Sequence, residues 1–185
     1  VVNPDVSLPA ATVEAQEIGT MFPQAMVLLG DEATLDKVKS ESRKSFLHLA
    51  THGILNKEDP NLTYLVLGQG QKLDIGEIAG MDLTDVRMVT LSACETALGE
   101  DPSSQGELTT LADAFGFAGC PTVTASLWQV SDDSTKVLME TYYRELKGGA
   151  APAAAMQTAQ KTLIANEDTR HPYHWAPFLL IGDWR

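Results

Sequence analysis

Cysteine is scarce in this sequence, with two residues in 185, Cys94 and Cys120, and neither sits in a C-x-x-C pair or at metal-ligand spacing from a histidine. A disulfide framework and a structural zinc site are therefore excluded as organising devices. Positive charge is also short: 13 basic residues stand against 25 acidic ones, a formal charge of −12. Binding to nucleic acid needs a basic face to offset phosphate charge, so that class of partner is excluded and basic partners are favoured. No apolar run approaches the roughly 20 residues of a membrane-spanning helix. Nor does a charged segment followed by an apolar one mark a signal peptide. These absences lead to the expectation of a soluble, cytoplasmic protein without membrane attachment. The glycine pairs Gly68-Gln69-Gly70 and Gly148-Gly149 read as turns, too sparse for a phosphate loop, and no cofactor is expected.

What the chain does contain is an apolar content of 44%, enough to bury a sizeable core in one domain. Residues 1–9, with Pro4 and Pro9 and no apolar period, read as an extended lead-in or the stump of a linker to an excised domain, residues 10–185. Beyond it, strand and helix patterns alternate. A helix from Thr12 to Phe22, with Val13, Ile18 and Met21 on one face, ends at Pro23. A strand over 25–29 precedes a helix capped by Thr34, and Phe46 to Thr51 forms the next strand. Residues 54–70 read as a loop entering a short strand at Tyr64–Leu67, and a brief helix starts at Leu73. The run Met88 to Leu91 is apolar on both parities, as a strand buried on both faces requires. A polar loop over 99–106, a helix over 108–118, a strand over 121–127 and two further helices, capped by Ser131 and opened by Pro152, precede a last strand at 177–181. This order predicts an α/β fold: three layers, with a mostly parallel, doubly wound sheet carrying helices on both faces.

The candidate site follows from two strand ends. Cys94 lies just past the strand that begins at Met88, and His52 just past the strand that begins at Phe46. In open α/β sheets, reacting groups gather at the carboxyl edge of the strands. If the two strands are neighbours, their ends lie about 5 Å apart or one further strand away, within reach for a Cys/His pair. The thiolate is the attacking form, and a free thiol with a pKa of about 8.5 needs a neighbouring imidazole to favour it. Histidine can then protonate the leaving amine. The N–H groups of Gly53 and Cys94 are candidates for an oxyanion hole. His48, in mid-strand, reads as a core or supporting histidine, His171 and His174 as residues that close a turn and orient the last strand, and Cys120 as a packing cysteine.

At these positions the chain resembles a known family. Phe46 to Gly53 (FLHLATHG), Val89 to Ala97 (VTLSACETA), Gly119 to Asp132 (GCPTVTASLWQVSD) and His174 to Trp184 (HWAPFLLIGDW) are similar to successive blocks of the CHAT domain, the bacterial caspase-like module often fused to tetratricopeptide repeats. The resemblance implies a caspase/separase-type fold and cysteine-protease chemistry, with the catalytic histidine at His52 and the nucleophile at Cys94. It also implies a protein substrate and a regulatory repeat region outside these 185 residues.

By the same resemblance, the loop from Ser126 to Asp133 walls the pocket for the residue before the scissile bond. Ser92, Ser126, Trp128, Asp132 and Asp133 are the candidate substrate-binding residues. Asp132 and Asp133 invite an Arg or Lys side chain of the substrate, so cleavage after a basic residue is expected. Both also sit in the first turn of a helix, where carboxylates favour the helix dipole without any ligand. The alternative to an endopeptidase is a non-catalytic caspase-like module for interaction or signalling.

Overall fold

The computed structural model describes residues 2–3, 9–42, 45–54, 56, 58–92, 105–128 and 130–185. At its centre the apolar runs β3 (Phe46–Ala50) and β7 (Met88–Ser92) pair in parallel, Phe46 opposite Met88 through Ala50 opposite Ser92. On the far side of β7 lies β8 (Thr122–Ser126), also parallel, and then β9 (Phe178–Gly182), which is antiparallel. On the far side of β3 lie β1 (Val2–Asn3) and β2 (Leu28–Leu29), both parallel. The order β2-β1-β3-β7-β8-β9 runs outward in both directions from the middle, a doubly wound and mostly parallel sheet. Parallel strands need crossover helices, and these cover both faces.

Strand parity explains why the two faces differ. The odd residues Leu47, Leu49, Val89, Leu91, Val123 and Ala125 share one core with Leu111, Ala112 and Phe115 of α4 (Gln105–Phe117) and with Ile78 of α3 (Ile75–Ala79). Burying each such Leu, Ile or Phe contributes about 1.5–3 kcal/mol. The even residues face α1 (Pro9–Met21), α5 (Asp132–Lys147) and α6 (Pro152–Ala165). On α1 the buried residues Ala11, Ala15 and Ile18 recur at helical spacing. On α5 they are Leu138, Met139, Tyr142, Tyr143 and Leu146.

The even face is also polar. Tyr142 bonds Thr124 at 2.9 Å and lies 2.9 Å from Met88 Sδ, while Tyr143 donates to Thr90 Oγ1 at 2.9 Å. His48 is 1% exposed and has Nδ1 3.0 Å from the Tyr143 hydroxyl and Nε2 2.8 Å from Glu14 Oε1. It is the buried core histidine that its mid-strand position indicates.

The helix capped by Thr34 is α2 (Leu35–Glu41), and Ser131 caps α5 as its sequence suggests. Several expectations change. Val2 and Asn3, within the stretch read as lead-in, are a strand of the main sheet, and α1 begins at Pro9 rather than Thr12, because proline suits the first helical turn. Val13 is 42% exposed, so the apolar stripe of α1 runs through Ala11, Ala15 and Ile18 instead. The strand expected at Tyr64–Leu67 is β5 (Tyr64–Val66), but it is joined by β4 (Gly53–Ile54) and β6 (Lys72–Asp74) in a small antiparallel sheet, so Leu73 lies in a strand and the helix expected from it begins at Ile75. No helix among the described residues is long and apolar enough to cross a membrane.

Two outcomes follow from this packing. Gly182 has φ +98°, and a Cβ there would run into the Pro121 carbonyl, so Gly182→Ala is expected to cost about 1–3 kcal/mol in urea unfolding. Burial raises the Tyr142 hydroxyl from its ordinary 10 to about 12, and raises that of Tyr143 further. An acid held protonated by the fold leaves stability unaffected below pH 10 and lowers it as pH rises from 10 to 12, where the unfolded chain ionises first. A pH titration of tyrosinate absorbance should therefore release the signal of Tyr142 only near pH 12 and that of Tyr143 later still, or earlier if the chain unfolds. Their full signal near pH 10 in a folded chain would contradict the assignment.

Candidate active site

His52 stands two residues past the end of β3, on a turn held by the small antiparallel sheet. The buried Thr51 donates its hydroxyl to the Val66 carbonyl at 2.6 Å, and the Val66 N–H donates to the His52 carbonyl at 2.9 Å. The backbone on either side is thus fixed while the His52 side chain is half-buried. Gly53 then enters β4 opposite Leu65, with Ile54 opposite Tyr64. The bond from Val66 to His52 makes Gly53–Leu65 a non-hydrogen-bonded pair, so the Gly53 N–H is turned away from β5.

The neighbouring strand ends at Ser92, level with Ala50. Ser92 is 1% exposed, and its buried hydroxyl has no hydrogen-bond partner among the described residues. Cys94 and Glu95, and the part of the polar loop from 99 to 104, lie outside the described residues.

The third strand end carries the loop that the resemblance assigns to the pocket wall. The Ser126 hydroxyl, which closes β8, donates to the Trp128 carbonyl at 2.6 Å, so it braces the loop. Trp128 is 37% exposed, and its indole N–H donates to the Tyr173 carbonyl at 3.2 Å. Ser131 caps α5, whose first two residues are Asp132 and Asp133. Asp133 is exposed at the start of this helix. Lys136, one turn on, is held protonated above its ordinary range, first by its hydrogen bond to Glu17 at 2.8 Å and then by the charges of Glu17, Glu140 and Asp133.

Sequence reasoning missed how the segment before β9 braces this loop. The 3-10 turn Pro172–His174 presents the Tyr173 carbonyl to Trp128 and sets His174 Nδ1 3.0 Å from Ser134 Oγ, and the Leu127 N–H donates to the Pro177 carbonyl at 3.0 Å. Turn closure by His171 is correct, since its Nδ1 accepts from the Tyr173 N–H at 3.2 Å. The loop-to-loop bonds depend on the antiparallel β8–β9 pairing, and no local motif announces them. The sheet order therefore gathers His52, Ser92 and the Ser126–Asp133 loop along one edge.

Cys120 is buried and donates to the Thr122 carbonyl at 3.2 Å; burial pushes its thiol up, which favours the unreactive form. Among the described residues, no group of three or more His, Cys, Asp or Glu side chains could hold a metal ion.

Comparison with known proteins gives the family. The family model of the CHAT domain matches residues 3–183. Tetratricopeptide repeat protein 28 from Homo sapiens is 32% identical over 103 residues, which is 53% of this chain and 4% of that protein. The chain thus spans a small part of the length of the curated relative it matches. With a mostly parallel sheet flanked by helices and a family match over nearly its whole length, the chain belongs to the CHAT domain family, a family of caspase-like protease domains.

Proposed function

We propose that the chain is a cysteine endopeptidase of caspase and separase type, with His52 and Cys94 as its catalytic dyad. One positional observation carries the reading: β3 and β7 are adjacent and parallel, their last paired residues are Ala50 and Ser92, and His52 and Cys94 each follow that level pair by two positions. Adjacent strands lie about 4.8 Å apart, the separation at which side chains from two strand ends meet across a cleft.

The chemistry runs through these residues alone. The Cys94 thiolate, favoured by the His52 imidazole, attacks the carbonyl carbon of the scissile peptide bond. The oxyanion that develops is met by backbone N–H groups, for which the Gly53 N–H, turned away from β5, and that of Cys94 are the candidates. His52 gives its proton to the leaving amine, and water then releases the acyl group from sulfur. Asp133, exposed beside the braced Trp128 loop, is suited to pair with a basic side chain of a protein substrate, with Asp132 and Ser92 completing the assignment. Regulation by a tetratricopeptide-repeat region outside these residues fits the family and the relative that carries that name.

Cys94→Ala is expected to abolish peptide cleavage while the chain stays folded, and His52→Ala to lower kcat by roughly 100-fold or more. Iodoacetamide should label Cys94 in preference to Cys120, and that preference should disappear in His52→Ala. Unchanged cleavage by Cys94→Ala refutes the dyad, and a chain that binds partners without any Cys94-dependent cleavage is the non-catalytic module instead. Peptides with Arg, Asp or an apolar residue before the scissile bond test specificity: preference for Arg is expected, and equal cleavage of all three removes the charge-pairing role of Asp132 and Asp133.

A further inference from the structure

Four positions before His52 and Cys94 lie His48 and Thr90, which are direct partners in the β3–β7 register. One hydroxyl joins them. Tyr143 of α5 donates to Thr90 Oγ1 at 2.9 Å and lies 3.0 Å from His48 Nδ1. The tyrosine oxygen is therefore within hydrogen-bonding distance of both strands, and the tautomer of His48 sets which partner donates in the second bond. Glu14 Oε1 of α1 lies 2.8 Å from Nε2 on the other side of the ring, a close polar contact without hydrogen-bond geometry. None of the four residues is more than 5% exposed.

This chain is more than the core needs for stability. The odd residues of the same strands, Leu47, Leu49, Val89 and Leu91, pack an apolar core without any polar atom. Replacing a buried ion pair by apolar side chains of similar volume is often neutral or stabilising. What linked polar side chains add is directional geometry. Here a single tyrosine oxygen is shared between two strands, so a shift of β3 along β7 stretches one of two bonds that water does not replace. Reacting groups must be held within about 0.5 Å of their productive arrangement by the residues that support them.

We propose that Tyr143, Thr90, His48 and Glu14 are positioning residues: by bridging β3 to β7 they set the relative placement of the two strand ends, and through them the alignment of His52 with Cys94. The proposal rests on the dyad reading of the preceding section. It places the alignment of the reaction inside the sheet, beneath the cleft and on the side covered by α1 and α5, so that these helices act on the chemistry without touching substrate.

Thr90→Val removes the hydroxyl and keeps the shape, Thr90→Ser keeps the hydroxyl, and Tyr143→Phe removes the bridge while leaving the ring. Each is compared with wild type and Cys94→Ala by kcat and KM on a cleaved peptide. The rate of Cys94 alkylation by iodoacetamide, with Cys120 as internal reference, and Tm complete the comparison. Thr90→Val and Tyr143→Phe should lower kcat and Cys94 alkylation by about tenfold or more with little change in KM, whereas Thr90→Ser should retain both. Folded Thr90→Val or Tyr143→Phe proteins with wild-type rates overturn the proposal, as does a Thr90→Ser rate that falls with them. Failure of both hydroxyl-removing variants to fold also overturns it, because holding the fold would then account for the network. Cys94-dependent cleavage that Thr90→Val does not slow removes the positioning role alone. Cleavage unchanged in Cys94→Ala removes the dyad and the positioning role together.

Discussion

The in-register parallel pairing of Phe46–Ala50 with Met88–Ser92 supports everything else in the molecule. Parallel strands cannot be joined by a short turn, so the pairing obliges the chain to leave the sheet and return, and it obliges helices to cover both faces. It also fixes parity. Once Leu47 and Leu49 point at α3 and α4, His48 must point at α1 and α5, and Thr90 must stand beside it. A slip of one residue would reverse both faces, placing leucines against Glu14 and Tyr143 and a histidine in the apolar core.

Around this pairing the edge of the sheet is assembled by short segments, of which β5 and β6 also bury Leu65 and Leu73 in the main core. The antiparallel strands β4, β5 and β6 are only two or three residues long, yet Val66 receives the Thr51 hydroxyl and holds the His52 carbonyl. On the other side, the turn before β9 holds the Trp128 indole and reaches Ser134 at the start of α5. A backbone held by hydrogen bonds around partly exposed side chains such as His52 and Trp128 is the common pattern.

Much of the fold is visible in the residue order, because long apolar strands and capped helices carry their own signals. Phe46-Leu-His-Leu-Ala50 and Met88-Val-Thr-Leu-Ser92 are continuous enough to mark buried strands, and Thr34, Ser131 and Pro152 mark helix starts through side-chain oxygens or a preset φ. Among the short strands, β2 and β5 fall within expected strands, whereas β1, β4 and β6 escape, since two or three residues cannot show a period. Val2–Asn3 belongs to the sheet only because Leu28–Leu29 and β3 flank it, which no local pattern states. Likewise Glu14 reads as one more carboxylate on a polar helix until His48 is found 2.8 Å away.

Residue chemistry along the chain was thus sufficient to name the fold class, the strand ends and the candidate pair His52 and Cys94, because these depend on local hydrophobicity, capping and residue type. The adjacency of β3 and β7, the grip of β5 on the His52 turn and the Glu14–His48–Tyr143–Thr90 chain came from packing alone. Those features join residues as far apart as Glu14 and Tyr143, and only the closing of two helices over one sheet face brings such groups within hydrogen-bonding distance.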